Sequence, residues 1–352
     1  MDTLTTFFNG IPFFQSALYG IIAMIIVGSS WCLIGLVMGD APKKGIEPSL
    51  VQLFGYLVSG SISLTLILTT GTYSTAPMDV TLWTCAAYAF SGLSNFIMLQ
   101  IMSHAMQSGP NGIIWAIIQS ALIFPFIGGV LFFDVNGTPL RWCGIVSLLV
   151  ALGLFACCKN NSSKGGSKWL LESFICLAIC AVQQNITTMP SYFESARGVP
   201  SIVRALASVV GGIVTALIYN LVLMNANRWQ QIKSSLRNAT MWKYIGALQF
   251  FSLIFAYTLF YPGMNVMADH GMGGMCYPVM VGSCIVSFTL SSIFILHERF
   301  QKVQIFALTA CLTGILLLCL FPDQSQEKKT DQPAAVQPAE LPAPPEAAPA
   351  GN

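Results

Sequence analysis

Residues 15–39 read QSALYGIIAMIIVGSSWCLIGLVMG, 25 consecutive positions without a charged side chain. A helix rises about 1.5 Å per residue, so ~20 predominantly apolar residues span the ~30 Å hydrocarbon core of a bilayer. The stretch reads as a retained span rather than a cleavable signal. No basic flank precedes it, it exceeds a signal's apolar core, and no small-residue cleavage pattern follows. Nine further runs of the same kind lie near 49–70, 80–103, 111–133, 140–158, 169–189, 201–224, 241–262, 271–296 and 303–321, giving ten in all. They are continuous, whereas a membrane β-barrel shows alternating segments of about ten residues. The expected fold class is an all-α membrane protein with ten transmembrane helices.

Composition agrees. Of 352 residues, 55% are hydrophobic and only 9% are Asp, Glu, Lys or Arg, and the mean hydropathy is +0.69. Soluble domains carry roughly 25% charged residues, so the main body is neither a water-soluble enzyme nor a disordered scaffold. A net charge of +2 is too small to point to nucleic acid. The 11 cysteines are scattered through apolar runs without metal-knuckle spacing and read as small packing residues. No cofactor or metal is implied.

The connections carry turn chemistry, as in Gly39-Asp40-Ala41-Pro42 and Asn136-Gly137-Thr138-Pro139. The polar linker 159–168 divides the chain into five-span units, 1–158 and 169–321, and a Pro/Ala-rich tail, 322–352, is expected to be disordered. Asn225–Thr240 alternates polar and apolar residues like an amphipathic surface helix. Loops after odd-numbered spans hold 11 basic residues against five elsewhere, which makes those loops cytoplasmic and puts both termini outside. Five crossings per half mean that two copies of one unit run in opposite senses, the inverted repeat of many secondary transporters. Weak echoes support this. Gly109-Pro110-Asn111-Gly112 opens span four, with Trp115 after it, and Gly271-Met272-Gly273-Gly274 opens span nine, with Tyr277 after it.

Ala41-Pro42-Lys43-Lys44, Ser91-Gly92-Leu93-Ser94-Asn95 running on through Pro125 to Asp134, Leu248-Gln249-Phe250-Phe251 and Leu296-His297-Glu298-Arg299 together resemble the EamA-like, ten-helix drug/metabolite transporter superfamily. Within it they resemble the branch of the bacterial rhamnose–proton symporter and glucose-uptake permeases. The resemblance implies a ten-helix inverted-repeat bundle in a bacterial inner membrane, with a cavity lined mainly by spans 1, 3, 4, 6, 8 and 9. It also implies solute transport by proton symport, and a coupling proton or sodium ion is the expected ionic partner.

Polar side chains in lipid are costly unless they face helices or a wet cavity. Span three places Thr84, Tyr88, Ser91 and Asn95 on one helix face, and span four places Trp115 and Gln119 four apart. The candidate substrate-binding residues are Trp31, Tyr88, Asn95, Trp115, Gln119, Gln184, Gln249, Tyr257 and Tyr277. Lone Ser and Thr are read as interhelical or back-bonding groups. No charge lies near the middle of any span, and Glu172, Arg204 and His104 sit within a turn of span ends, where long side chains snorkel to the interface. Coupling candidates are therefore the edge residues His104, Glu172, Glu194 and Glu298. The expected function is a secondary transporter of a small neutral or zwitterionic polar metabolite, such as a sugar, polyol or amino acid. Export of drugs or amino acids, an intramembrane enzyme and a receptor are the competing classes. Gly-x-Ser-x-Gly and phosphate-binding loop motifs are absent from the sequence.

Overall fold

The computed structural model of the protein describes residues 16–132, 138–157, 168–224, 226–251, 255, 259–270, 276–298 and 300–319. Its elements are α1 (Ala17–Asp40), α2 (Pro48–Thr70), α3 (Met78–Ala105), α4 (Asn111–Gln119), α5 (Ile123–Phe132), α6 (Pro139–Cys157) and α7 (Lys168–Tyr192). These are followed by α8 (Glu194–Arg197), α9 (Ser201–Val222), α10 (Ala226–Arg237), α11 (Ala239–Gln249), α12 (Tyr261–Asp269), α13 (Cys276–Phe294) and α14 (Lys302–Cys319).

The boundaries follow local chemistry. Ser16 caps α1 by accepting the Tyr19 amide at 3.3 Å. Pro48 occupies the first turn of α2, where its missing N–H costs nothing. Gly71 ends that helix in the left-handed region at φ 63°, a conformation glycine adopts without strain. Asn238 separates α10 from α11 by accepting the Thr240 amide at 2.9 Å. Pro125 removes the N–H that would bond the Ala121 carbonyl, and the backbone just before it tightens into a 3₁₀ turn, Ser120–Leu122, between α4 and α5. Pro278 lies instead in the first turn of α13, a tolerated position, so the two prolines do not act alike.

Among the described residues, six helices are long and apolar enough to cross a membrane: Ala17–Asp40, Pro48–Thr70, Met78–Ala105, Asn111–Phe132, Lys168–Thr187 and Ser201–Val222. Pro139–Phe155, Pro278–Phe294 and Lys302–Leu317 are shorter apolar helices. Leu64, Leu68, Phe90, Val146, Leu149, Leu221, Phe294 and Phe306 are exposed, an apolar surface that water would not tolerate and lipid solvates. The protein is an integral, multi-pass, all-α membrane protein among its described residues.

Helix pairing places the interior. α6 packs on α14, α3 on α9 and α7, α1 on α13 and α12, α2 on α9 and α11, and α4 on α7 and α13. Several contacts are backbone-close because a glycine lies at the crossing. A Cβ on Gly92 would overlap the Ser208 carbonyl, one on Gly211 would overlap the Ala89 carbonyl, and one on Gly28 would overlap Met280. Met38, Ile114, Ile117, Phe155, Trp169 and Phe288 anchor a core shared by elements before and after the 159–168 linker. The amphipathic segment forms α10, which buries Ile232 and leaves Trp229 exposed with the Lys233 ammonium 5.2 Å from its ring.

Candidate functional site

The polar face of α3 is turned inward, as its spacing predicts: Thr84, Tyr88 and Ser91 are buried, and Asn95 is partly buried. Asn95 is held by α2, its Nδ2 donating to the Tyr56 hydroxyl at 2.9 Å. Three residues along α2, Ser59 donates to Gln249 Oε1 of α11 at 2.5 Å. One turn of α2 thus anchors both amides, and Gly55 leaves room for Gln249 Nε2, which would lie 3.2 Å from a Cβ there. Each amide uses one end on the protein. Asn95 Oδ1 and Gln249 Nε2 make no hydrogen bond with any described residue. Whichever way an amide is oriented, one end of it stays unspent.

Trp115 lies where α4 meets α13. Its indole stacks on Phe288 at 5.1 Å and Nε1 donates to Cys284 Sγ at 3.3 Å. Gly35 of α1 admits both rings. Trp115 is buried and satisfied, as a packing residue would be, and Trp31 is packed partly buried against the same core. One turn beyond Trp115, Gln119 retains 9% of its surface and hydrogen-bonds no described residue, so both ends of its amide are available. Gln184 on α7 donates to Cys180 Sγ at 3.5 Å. Tyr88 bridges helices, donating to the Thr187 carbonyl at 3.0 Å and accepting from Arg204 Nη1 at 3.3 Å. Tyr257 lies outside the described residues. Tyr277 is in α13 and Glu194 in α8, and the side chains of both lie outside them too.

Among the described residues, many Ser and Thr hydroxyls bond back to their own helices, as with Ser61 to Leu57, Thr65 to Ser61, Ser94 to Phe90 and Thr215 to Gly211, each at 2.8 Å, and others bridge helices, as with Ser103 to the Met38 carbonyl at 2.7 Å.

Among the described residues, the edge residues form three clusters. His104 Nδ1, at the end of α3, is 2.9 Å from the Glu172 carboxylate at the start of α7, and Lys168 Nζ is 3.6 Å from the same carboxylate. Glu298 caps α4: Oε1 accepts the Asn111 amide at 2.8 Å and its Nδ2 at 2.7 Å, while Oε2 accepts the Gly112 amide at 3.2 Å. Burial pushes the Glu298 carboxyl above its ordinary range despite the hydrogen bonds that favour its charge. A third cluster escapes sequence reading. Lys44 Nζ lies 2.7 Å from Asp40 Oδ2 and donates to the Tyr244 hydroxyl at 2.9 Å, and that hydroxyl in turn donates to Asp40. The bonds to Asp40 and Tyr244 hold the Lys44 ammonium above its usual range. Tyr56, Ser59 and Tyr244 were all unmarked by the sequence, because a single hydroxyl in an apolar run carries no periodic signal.

No family model matches the chain, and no curated protein matches it. By contrast, 26 chains of solved structures do. One of these, described only as "Crystal structure of protein", has a TM-score of 0.55 and 16% identity over 88% of this chain and 98% of that one. At that identity the likeness is one of fold: the helical arrangement of most of the chain recurs in a solved protein.

Proposed function

We propose that the protein is a secondary transporter carrying a small neutral or zwitterionic polar metabolite by alternating access, built as ten spans in two inverted five-helix halves. The observation that carries this reading is an exchange symmetry in the helix pairing. Let α1 trade places with α7, α2 with α9, α3 with α11 and α12, α4 and α5 with α13, and α6 with α14. The pair α1–α13 then becomes α7–α4, α3–α9 becomes α11–α2, and α3–α7 becomes α12–α1. The pairs α6–α14, α2–α9 and α4–α13 map onto themselves. Two copies of one unit pack in this way around a pseudo-twofold axis lying in the membrane plane, and transporters bind solute at such an interface.

The unspent amides of Asn95, Gln119 and Gln249 supply donors and acceptors suited to hydroxyl, amide or carboxylate groups. Neither a charge at mid-span nor a nucleotide-binding loop calls for another class of cargo. The short motifs shared with the drug/metabolite transporters point the same way, and the basic-residue count favours outside termini. Whether the flux runs inward or outward follows the coupling gradient rather than the fold. The test is flux of radiolabelled sugars, polyols and amino acids into vesicles holding the purified protein. Saturable uptake is expected, with N95L and Q119L each losing it by tenfold or more while remaining folded. Unchanged uptake in both variants removes these residues from the pathway, and no saturable flux for any solute class ends the transporter reading.

A further inference from the structure

Arg204, on the first turn of α9, behaves unlike a residue that reaches for the membrane surface. Its guanidinium is folded inward over α3, with its carbon 5.6 Å from the centroid of the Tyr88 ring and Nη1 on the Tyr88 hydroxyl. The glycine crossing sets this geometry. Ser208 and Gly211 of α9 meet Gly92 and Ala89 of α3 backbone to backbone one to two turns away, which fixes Arg204 above Tyr88. The Tyr88 hydroxyl accepts from Arg204 and donates to Thr187, so it cannot serve as the counter-charge. Arg204 Nε is fully withdrawn from solvent with no acceptor, and no carboxylate among the described residues pairs with the guanidinium. One turn of α3 away on the same face, the Thr84 hydroxyl is also buried without a partner.

An arginine has five N–H donors in a planar fork shaped for two parallel bonds to a carboxylate. Holding that fork inward without an anion is costly, and the same chain laid outward would reach water. Among the described residues, the arrangement is therefore incomplete without a ligand. We propose that Arg204, supported by Tyr88 and Thr84, forms an anion subsite that takes the carboxylate of the transported solute. This rests on the transporter reading, narrows its zwitterionic cargo to amino acids and extends it to the singly charged hydroxy acids. One guanidinium balances one carboxylate, whereas a phosphate monoester carries about −1.5 to −2 and would leave net charge buried.

The test compares small amino and hydroxy acids with their matching amides, and with uncharged sugars, as stabilisers of the purified full-length protein in lipid-free micelles. Bound solute raises the melting temperature by mass action. The acids are expected to raise it and the amides not to. R204Q should raise the half-saturating acid concentration by ~10-fold or more, and R204K, which keeps the charge but loses the fork, by less. The acid–amide comparison needs no variant, so it stands even if R204Q fails to fold. Equal stabilisation by acids and amides overturns the subsite, as does stabilisation by anionic-lipid vesicles but not by soluble acids. Stabilisation by sugars alone, unchanged in R204Q, overturns the subsite while leaving the transporter reading intact. No stabilisation by any solute, together with no saturable flux, removes both.

Discussion

Gly92→Ala adds one methyl group where α3 crosses α9. The new Cβ would fall on the Ser208 carbonyl oxygen, 2.6 Å from its carbon and 3.1 Å from the Gly212 nitrogen, where ordinary contact begins at 3.4 Å. All three neighbours are backbone, so no rotamer change relieves the overlap: the carbonyl oxygen, 1.7 Å from the new Cβ, must move beyond 3.0 Å, and α9 must withdraw by more than 1 Å. A gap of ~1 Å forfeits a quarter to a half of each contact's attraction along the interface, and overpacking of this kind costs about 1–3 kcal/mol. With backbone on both sides, about 3 kcal/mol is expected. Gly153→Ala is the control: nothing lies within 4 Å of its Cβ, and the residue is exposed on α6. That change should be neutral or stabilise by up to ~1 kcal/mol through helix propensity. The assay is reversible unfolding of the purified protein in mixed micelles with increasing SDS, followed by circular dichroism. If G92A unfolds within ~0.5 kcal/mol of wild type, the close α3–α9 crossing is wrong, and the placement of Arg204 falls with it.

Glu298 predicts a pH dependence. Its folded carboxyl titrates above the reference value of 4.5, so the folded state binds the proton more readily than the unfolded one. The stability this contributes is present below about pH 4.5 and is lost as pH rises through the folded value. Melting temperature measured upward from pH 4 should fall more steeply in wild type than in E298Q, and parallel curves would refute the assignment. His104→Ala breaks a pair in which the His104 side chain is 57% exposed. Solvent screening limits the loss to under ~1 kcal/mol, and a larger loss in chemical denaturation would mean that the pair is shielded.

Much of the fold was readable because lipid imposes a one-dimensional rule. Helices begin at Pro48, Pro139 and Ser201 and stop at Gly71, where backbone chemistry is local. The inward face of α3 was equally legible, since Thr84, Tyr88, Ser91 and Asn95 recur at helical spacing. What escaped was any pairing that depends on distant chain segments. Glu298 caps a helix that starts 187 residues earlier, and Tyr244 joins Asp40 across 204. Nothing near either residue in sequence announces its partner. Arg204 shows a different failure. Proximity to a span end argues for an outward side chain, but the glycine crossing and the Tyr88 ring offered an inward resting place that composition does not encode.

Every residue of α4, from Asn111 to Gln119, is buried. A stretch apolar on all sides, as this helix is from Ile113 to Ile118, is ordinarily assigned to lipid, yet here it is packed among other helices and withdrawn from the acyl chains. Its oily character is therefore a matter of shape rather than of solubility. Membrane thickness and lipid type should leave it untouched, and tolerance to mutation along it should track side-chain volume instead of water-to-lipid transfer energy.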